Sequence, residues 1–404
     1  MDDQELIDKI VRHELKFHEL EKYVEAKKAA ELRRRALTAL TGTELQNISI
    51  FSLDAERAVK ANIENMIGVT QVPMGVAGPV HVKGDFADGL YYIPMATTEG
   101  ALVASVNRGC TVINKSGGAV SLVIKEGMAR APVLKARTIR HAKEALEFIN
   151  RNKAKLKEKA ESTSRFLKLE DIQHWIIGRS LFIRFVYKTG DAMGMNMVTI
   201  ATDAAIKFLE SETGLKHVAL SGNACVDKKS SALNLILGRG KTVSSEVVLR
   251  REELKNVLKT TPEAMADIVY RKCLLGSALA GSYGFNAQFA NVIAAIFIAT
   301  GQDAAHVVEG SQGFTTAEIT EEGDLTFSVT IPSLQVGTVG GGTALDTQRE
   351  ALELIGVHGA GESPGTNALK FAEIVAAAVL AGEISLIGAL GARHLAEAHV
   401  RLNR

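Results

Sequence analysis

The sequence predicts a multidomain protein of mixed α+β and α/β class, with a small helical N-terminal domain, a large domain around a buried central helix, and a smaller α+β domain inserted into the large one. Three observations support this prediction. A chain of 404 residues is long enough for two or three domains. Its first 40 or so residues are densely charged with a helical apolar pattern. A charge-rich stretch of alternating strands and helices then interrupts sequence rich in Ala, Gly and apolar residues.

These changes in composition set the predicted domain limits. The helical N-terminal domain covers residues 1–67, the large domain covers 68–131 and 220–404, and the inserted domain covers 132–219. Within the first domain, apolar residues recur at the spacing of one helical face. They are Leu6, Ile10, Phe17, Leu20 and Val24.

The large domain begins with short strands, because Gly, Pro and β-branched residues replace the charged ones after residue 41. We expect strands at 69–73, 75–82 and 91–94, followed by a helix of small residues at 100–107. The inserted domain alternates between the two kinds of element. Its predicted elements are a strand at 131–134, a charged helix at 142–160, a β-rich piece at 175–187 and a helix at 195–210.

Two apolar stretches in the second half of the chain, 285–300 and 374–390, approach the hydrophobicity of a membrane segment. Both are interrupted by polar residues, such as Asn291 in the first and Glu383 in the second, and both are shorter than the ~20 residues that a span needs. They therefore predict buried core helices, with the central helix at about 273–300.

Composition excludes several classes of function. The net charge of +1 and the single Trp argue against nucleic acid as a partner. Three distant cysteines, an odd number without C-x-x-C spacing, favour a reducing compartment and argue against a zinc site. The acidic N-terminus resembles neither a signal peptide nor a transit peptide. We expect a cytoplasmic protein with no membrane partner.

The most informative segment is 221–231, where Lys228 and Lys229 follow Asp227 in a run of small polar residues. Its flanks are apolar, and ammonium groups held between buried segments need anionic partners. We expect Asp227 to be one partner, and an anionic substrate or a carboxylate from elsewhere in the chain to supply the rest. A nucleotide phosphate loop is excluded at the nearby Gly240-Lys241-Thr242, because Leu235 stands where that motif requires glycine.

Four ionisable residues in apolar or glycine-rich surroundings are candidates for proton chemistry: Glu99, Lys228, Asp303 and His399. Three of them also have a plain structural interpretation. Glu99 can be a helix-dipole partner, Asp303 a turn residue and His399 a solvated terminal histidine. Together, Lys, Glu, Asp and His can deliver protons and stabilise an oxyanion. His394 and His399 are five residues apart, which does not suit a helical metal pair.

Glycine-rich segments add candidates for ligand binding. Gly190–Met197 opens a helix after a strand, and backbone amides at a helix N-terminus bind anions. It lacks the G-x-G-x-x-G dinucleotide fingerprint, so a plain turn remains an alternative. The segment Gly337–Thr343 allows close approach of a chain or ligand, or is a flexible loop. Ser164-Arg165 is compatible with phosphate capture.

These segments in this order resemble the 3-hydroxy-3-methylglutaryl-coenzyme A reductase family over roughly residues 60–404. The matching stretches are Glu64-Asn65-Met66-Ile67-Gly68, Pro73 to Pro79, Pro94 to Gly100, Gly190 to Met197, Ser221 to Lys229, Gly301-Gln302-Asp303 and Gly337 to Thr343. The methionine-rich segment after Gly190 looks like the form that eukaryotic and archaeal members share, which favours NADPH. The membrane anchor of eukaryotic members has no counterpart here.

The resemblance implies roles for the four candidates. Lys228 would stabilise the oxyanion, Glu99 would supply a proton to the aldehyde oxygen, and Asp303 would hold and tune both. His399 would protonate the departing coenzyme A thiolate. Substrate contacts would come from Arg130, Ser221, Asp227, Lys229 and Lys272.

The resemblance also implies the cofactor site, the architecture and the partners. Cofactor contacts would come from Asp191, Met193, Gly194, Met195 and Asn196, with Ser164 and Arg165 on the 2′-phosphate and Asn403 and Arg404 nearby. The inserted domain would be ferredoxin-like, and the site would be shared between two subunits of a homodimer or a larger assembly. His306 stands where members commonly have Gln.

Two other classes of function remain alternatives. A non-catalytic coenzyme A or nucleotide-binding module would keep the glycine-rich segments but would not need both Glu99 and His399. An ATP-dependent small-molecule kinase fits less well, since the phosphate loop and an obvious pair of Mg²⁺ carboxylates are missing from the sequence. The sequence therefore predicts an NADPH-dependent reductase that converts hydroxymethylglutaryl-coenzyme A to mevalonate.

Overall fold

The computed structural model describes residues 1–402, with side chains described as far as residue 393. Over this part of the chain the α-helical segments are α1 (Asp3–Val11), α2 (Ala26–Thr41), α3 (Ala55–Ala61), α4 (Leu102–Lys115), α5 (Ile139–Arg151), α6 (Lys153–Glu161), α7 (Met195–Thr213), α8 (Ala232–Leu237), α9 (Arg251–Glu253), α10 (Pro262–Ile268), α11 (Ser277–Ala280), α12 (Phe289–Thr300), α13 (Val307–Gly310), α14 (Asp346–Ile355) and α15 (Thr366–Leu402). Short 3-10 segments occur at Phe17–Lys22, Asn47–Ser49, Ala304–His306 and Gly341–Ala344, and π-helical turns at Leu254–Leu258 and Val269–Gly276.

The strands form a mixed, branched sheet. They are β1 (Met74–Gly84), β2 (Asp88–Ala96), β3 (Ala119–Arg130), β4 (Val133–Lys135), β5 (Lys168–Ile177), β6 (Ser180–Lys188), β7 (Lys216–Ala219), β8 (Gly240–Leu249), β9 (Gly284–Phe285), β10 (Gly313–Ile319) and β11 (Leu325–Leu334). The main path runs β7-β4-β6-β3-β8-β11-β10-β9, while β1 and β2 branch from β3 and β5 pairs with β6. The prediction of a mixed α and β protein is confirmed.

Strand β3 joins the two halves of the sheet. Its first part pairs with β1 and β8, and its last residues, Met128 to Arg130, pair with β6. Two large apolar clusters lie on either side of this junction. One surrounds α12 and α15, and the other packs α5, α6 and α7 against β4, β5 and β6. Smaller clusters hold the N-terminal helices. The end of β3 and the start of β8 therefore bring both halves to one place.

The long helix α15 forms part of the core. Its stretch Thr366–Arg393 is long and apolar enough to cross a membrane by composition, but 83% of its most apolar window is buried inside the protein. The prediction of a buried helix at 374–390 is confirmed. Glu383 interrupts this apolar stretch and is buried with it. Its carboxylate is satisfied there, because it accepts the N–H groups of Ala287 and Gln288 and the hydroxyl proton of Thr315.

The central helix is shorter than the sequence predicts. It begins at Phe289 rather than near residue 273, because Gly281 ends α11 with a φ of 65° and the next residues form β9 beside β10. The charged helix expected at 142–160 is also interrupted. It divides into α5 and α6 at Asn152, which leaves the helical conformation and donates its side-chain amide to Phe148 O.

Two further boundaries differ from the prediction. No strand forms at 69–73 within the described chain. There the N–H of Val69 donates to Ile48 O, so the segment packs along the N-terminal region instead of the sheet. The helix expected at 100–107 is α4, which begins later, after left-handed Ala101, and continues to Lys115 because its apolar face packs against α15 and β1.

Candidate active site

The loop after β7 holds Lys228 in an uncommon backbone conformation. Three non-glycine residues of this loop have positive φ: Asn223 at 63°, Val226 at 49° and Lys228 at 58°. Left-handed backbone at a residue with a side chain costs on the order of 1–3 kcal/mol and is concentrated at functional sites. The loop is therefore fixed in a shape that its own residues do not favour.

Asn234 on α8 holds this loop in place. Its Nδ2 donates to Val226 O and to Glu309 Oε1, both at 2.9 Å. The hydroxyl of Ser231 caps α8 by accepting the N–H of Asn234 at 3.1 Å. Since these are buried or half-buried hydrogen bonds, they offset part of the backbone strain and position Lys228.

Lys228 and Asp303 form an ion pair at the surface of the site. Nζ of Lys228 lies 2.7 Å from Oδ2 of Asp303, and the two side chains remain 42% and 34% exposed. Asp303 follows α12 and caps the next turn by accepting the N–H of Ala305. Burial alone would raise the pKa of Asp303. The hydrogen bond from Lys228, together with the neighbouring His306, the N–H of Ala305 and the charge of Lys228, outweighs burial and holds the pKa below its usual value. The pair thus presents an ammonium group whose carboxylate partner stays ionised.

Asp227 belongs to a separate network of buried arginines. Its Oδ1 is 3.1 Å from Arg239 and its Oδ2 is 3.7 Å from Arg130. Arg239 is fully buried and also binds Glu309 at 2.9 Å. The expectation that Asp227 is a partner for the two lysines is therefore wrong for the side chain, since Lys229 is exposed and donates only to the backbone carbonyl of Asp227. A carboxylate from elsewhere in the chain, Asp303, pairs with Lys228.

His306 lies fully buried beneath both groups. Its Nε2 is 3.5 Å from Asp227 Oδ1 and 3.6 Å from Asp303 Oδ2, while Nδ1 is 3.4 Å from Glu309 Oε2. Burial lowers the pKa of His306 to about 4, and repulsion from Arg239 adds to this effect. Burial also raises the pKa of Glu309 to about 6, against the attraction of Arg239.

Ligand atoms of Asp227, His306 and Glu309 lie within 4.8 Å of one another, which is close enough for a metal site. Arg239 nevertheless donates to Glu309 and lies 3.1 Å from Asp227, and so supplies the positive charge that a cation would supply. A divalent ion there would lie against a guanidinium as well as the ammonium of Lys228, so these residues fit a salt-bridge network better than a metal centre.

Glu99 lies in an exposed turn before α4, apart from the Lys228–Asp303 pair. Its Oε1 accepts from Asn291 Nδ2 at 3.4 Å, and its N–H donates to the hydroxyl of Thr97. Asn291 is in the first turn of α12, whereas Asp303 follows the last turn. A helix rises 1.5 Å per residue, so roughly 15 Å of chain axis separates the two positions. Within one chain, Glu99 therefore contacts the end of α12 opposite to the end that the Lys228–Asp303 pair follows.

The turn that opens α7 is held by a buried carboxylate. Asp191 accepts the N–H groups of Gly361, Gly365 and Ala368, at 3.1, 2.9 and 3.0 Å, where α15 begins. Its carbonyl oxygen accepts from Thr338 N at 2.8 Å. Both carboxylate oxygens of Asp191 already accept hydrogen bonds that anchor the turn. Any contact of Asp191 with a ligand therefore involves its backbone or follows a rearrangement.

The remaining residues of this turn expose backbone at a helix N-terminus. Gly194 has a φ of 95° and precedes α7, a conformation that favours glycine. Asn196 is exposed in the first turn, and Met193 and Met195 are half-buried. Met195 Sδ lies 2.8 Å from Arg239, which connects this turn to the charge network under Lys228.

Ser164 and Arg165 lie beside the same turn. The guanidinium carbon of Arg165 lies over the ring of Phe166, 4.6 Å from the ring centroid. A Cβ placed on Gly190 would be 4.0 Å from that of Phe166. The two segments that the sequence links to cofactor binding are therefore neighbours, although the hydroxyl of Ser164 accepts the N–H of Phe166.

The glycine-rich segment 337–343 fills the space between the α7 turn and the end of α12. A side chain on Gly337 would collide with the backbone of Met193, and one on Gly342 would collide with Gly301. The N–H of Gly337 also donates to Gln302 at 2.9 Å. Close backbone approach, one of the two alternatives that the sequence left open, is what the structure shows.

Other predicted site residues are scattered or lie beyond the described part. The hydroxyl of Ser221 is 3.3 Å from Sγ of buried Cys225. Lys272 is exposed on the π-helical turn Val269–Gly276, where its charge partly opposes the burial that raises the pKa of Glu383. The side chain of His399 and all of Asn403 and Arg404 lie outside the described residues.

Three residues of the network beneath Lys228 were not predicted from the sequence: Arg239, Glu309 and Asn234. A usable signal was present, because charged residues between apolar segments must be paired, and both Arg239 and Glu309 stand in such positions. Their partners could not be read from the sequence, since they are 70 positions apart.

The fold and this site define a class of mixed α and β protein in which a lysine–aspartate pair lies near a glycine-rich helix N-terminus. The model of the hydroxymethylglutaryl-coenzyme A reductase family matches residues 29–404. The chain belongs to this family.

Relatives and solved structures agree. A 3-hydroxy-3-methylglutaryl-coenzyme A reductase of Pyrococcus abyssi is 53% identical over 100% of both chains. The enzyme of the same name from Methanocaldococcus jannaschii is 52% identical over 99% of both. The class II enzyme of Streptococcus pneumoniae, solved with NADPH in open conformations, has a TM-score of 0.68 and 20% identity, covering 89% of this chain and 86% of that chain. At that identity the last likeness supports the fold alone.

Proposed function

We propose that this protein reduces 3-hydroxy-3-methylglutaryl-coenzyme A to mevalonate and coenzyme A with two molecules of NADPH, a step of isoprenoid biosynthesis. The observation that carries the proposal is the Lys228–Asp303 pair, held by a strained loop and left accessible. Reduction of a thioester develops negative charge on the carbonyl oxygen, and a fixed ammonium stabilises such an oxyanion. Family membership supplies the substrate.

Lys228 acts on the thioester oxygen in the first reduction and on the aldehyde oxygen in the second. Asp303 keeps Lys228 charged and oriented, because its low pKa leaves it ionised. Glu99 supplies the proton to the aldehyde oxygen, and His399 protonates the coenzyme A thiolate as it leaves. The carboxylate of the hydroxymethylglutaryl group fits the cationic side of the site, with Arg130 and Lys229 as its partners and Ser221, Asp227 and Lys272 nearby.

The α7 turn fits NADPH. It lies at the N-terminus of a helix of 19 residues, a position where backbone amides bind anions, and Gly194 leaves room where a side chain would meet Thr189. Gly190, Met193, Met195 and Asn196 would hold the dinucleotide, Ser164 and Arg165 its 2′-phosphate, and Asn403 and Arg404 lie close by in this proposal. NADPH supplies the hydride for each reduction when it is bound.

We infer that the complete site needs two subunits. Glu99 and the Lys228–Asp303 pair stand near opposite ends of α12, roughly 15 Å apart along its axis. A proton donor must come within hydrogen-bond reach of the group it serves. A homodimer in which Glu99 of one subunit meets Lys228 of the other satisfies this requirement. The finer architecture that we propose is a helical N-terminal domain, a large domain and a ferredoxin-like insert at 132–219, in a cytoplasmic protein.

The decisive experiment follows NADPH absorbance with purified protein and hydroxymethylglutaryl-coenzyme A. Consumption of two NADPH per mevalonate, with release of free coenzyme A thiol, supports the proposal. Binding of both ligands without turnover would favour the alternative, a non-catalytic coenzyme A or nucleotide-binding module. The Lys228–Asp303 geometry argues for turnover, since a binding module has no need of a strained catalytic lysine.

A further inference from the structure

The proposed chemistry does not use His306, although this residue is fully buried directly behind the reacting pair. Neither of its ring nitrogens meets the geometry of a hydrogen bond to any described residue. Unpaired nitrogens on a fully buried imidazole are costly, and such groups are uncommon unless they serve a purpose. Both nitrogens instead face carboxylate oxygens at 3.4–3.6 Å.

The Nε2 side of the ring faces the reaction. It is 3.6 Å from Oδ2 of Asp303, the same oxygen that contacts Lys228 at 2.7 Å. It is also 3.5 Å from Oδ1 of Asp227. A shift of a few tenths of an ångström would bring Nε2 within hydrogen-bond distance of either aspartate, and catalytic hydrogen bonds often tighten in this way when substrate binds.

The Nδ1 side of the ring faces Glu309. A neutral imidazole has one N–H and one lone pair, so only one of its two sides can donate. An ionised carboxylate repels a lone pair, so one of the facing carboxyl groups must carry a proton. Burial raises the pKa of Glu309 to about 6, whereas the pKa of Asp303 lies below its usual value. The proton therefore belongs on the Glu309 side, shared between Oε2 and Nδ1.

We propose that Glu309 fixes the tautomer of His306 with hydrogen on Nε2, and that His306 then acts as a positioning residue by donating to Asp303 and holding that carboxylate against Lys228. The resulting chain runs Glu309, His306, Asp303, Lys228. The inference rests on the proposed reduction, because Lys228 must act on the substrate oxygen for this arrangement to affect the rate.

The surrounding charges are consistent with this chain. Lys228 faces it from the strained loop, Arg239 from the segment before β8, and Arg130 from the end of β3 through Asp227. With the proton shared between Glu309 and His306 that pair is neutral, so the three cations exceed the two ionised aspartates by one positive charge, which suits the carboxylate of the proposed substrate. Loss of the shared proton at higher pH would leave ionised Glu309 facing Nδ1. The ring hydrogen would move to Nδ1, and Nε2 would lose its donor.

Two substitutions of His306 separate donation from packing. His306→Phe keeps a ring but removes the donor, and we expect kcat to fall about tenfold to a hundredfold. His306→Gln keeps an N–H donor near the Nε2 position, and we expect its kcat to stay within about threefold of that of the unsubstituted enzyme. Thermal unfolding of both variants reports whether they fold, and His141→Gln provides a matched control at a buried histidine of the inserted half.

A third variant tests the shared proton. Arg239 donates to both oxygens of Glu309, at 2.9 and 3.2 Å, but Asn234 donates only to Oε1. In Glu309→Gln the carbonyl should therefore take the Oε1 position, with the NH₂ group facing Nδ1. This locks hydrogen on Nε2 without a titratable group. The unsubstituted enzyme should lose kcat as pH rises through the pKa of the pair. Glu309→Gln should lose that decline, so that its kcat relative to its own value at low pH stays level across the same range.

The outcomes decide between the possibilities. The inference is overturned if His306→Phe keeps full kcat, if His306→Gln is as impaired as His306→Phe, or if Glu309→Gln shows the same decline with pH as the unsubstituted enzyme. If His306→Phe does not fold, the pH profiles of the two glutamine variants still decide. Failure of the unsubstituted protein to oxidise NADPH with the thioester would instead reject the proposed function.

Discussion

The loop that carries Lys228 and the turn that opens α7 are both predicted ligand sites, but they are built in opposite ways. The Lys228 loop has three left-handed non-glycine residues and lies on a network of buried charges. The α7 turn places its left-handed backbone at Gly190 and Gly194 and is held by one carboxylate, Asp191. The first site presents side chains that a strained backbone holds in position. The second offers backbone amides, so its side chains serve mainly as anchors.

This contrast predicts that substitutions in the first region affect chemistry, whereas those in the second affect binding. The largest effect should follow Lys228→Ala. Loss of one preorganised oxyanion donor reduces kcat by on the order of 10²–10³. The measurement is steady-state turnover with the thioester, and Lys229→Ala is the comparison, since its exposed ammonium should alter KM more than kcat. Near-normal turnover by Lys228→Ala would contradict the mechanism.

Mixing two inactive variants tests whether the site is shared. Glu99→Gln and Lys228→Ala subunits, unfolded or dissociated and reassembled in equal amounts, should form mixed dimers as half of the population. Each mixed dimer then has one site with both residues intact, so about a quarter of full activity should return. Each variant reassembled alone is the control. No recovery in dimers shown to be mixed would mean that Glu99 and Lys228 act within one chain.

A smaller effect is expected in the cofactor region for Arg165→Ala. A guanidinium binds phosphate through paired hydrogen bonds, so KM for NADPH should rise about tenfold while KM for NADH changes little. The assay compares both cofactors at a saturating thioester concentration. Equal changes for the two cofactors would show that Arg165 does not read the 2′-phosphate.

Asp191→Ala should have the smallest effect on turnover and a clear effect on stability. It leaves three N–H groups at the start of α15 without their acceptor, which should lower the free energy of unfolding by roughly 2–4 kcal/mol. Asp203→Ala on α7 removes only an exposed i,i+4 pair with Lys207 and should change stability by less than about 0.5 kcal/mol. Chemical denaturation measures both. Equal free energies of unfolding for the two variants would show that Asp191 does not anchor the turn.

Much of the fold could be predicted locally. The strand at 75–82, the helix that opens at Met195 and the buried helix around 374–390 follow from apolar periodicity and glycine placement, and the structure contains them. The boundaries at Asn152 and Gly281 could not be predicted, because α-helical periodicity continues across both positions and tertiary contacts decide where the chain leaves the helix.

The candidate site divides in the same way. The sequence by itself determined the candidates for the chemistry: Lys228, Asp303 and Glu99 stand out by their type and their surroundings, and motif order identified the family. Only the tertiary structure decided which residues meet. It paired Lys228 with Asp303 rather than Asp227, placed Glu99 at the other end of α12, and enclosed His306 between carboxylates. The physical reason is that charge pairing depends on distance in space, and partners such as Lys228 and Asp303 are separated in sequence by tens of residues and meet only in the fold.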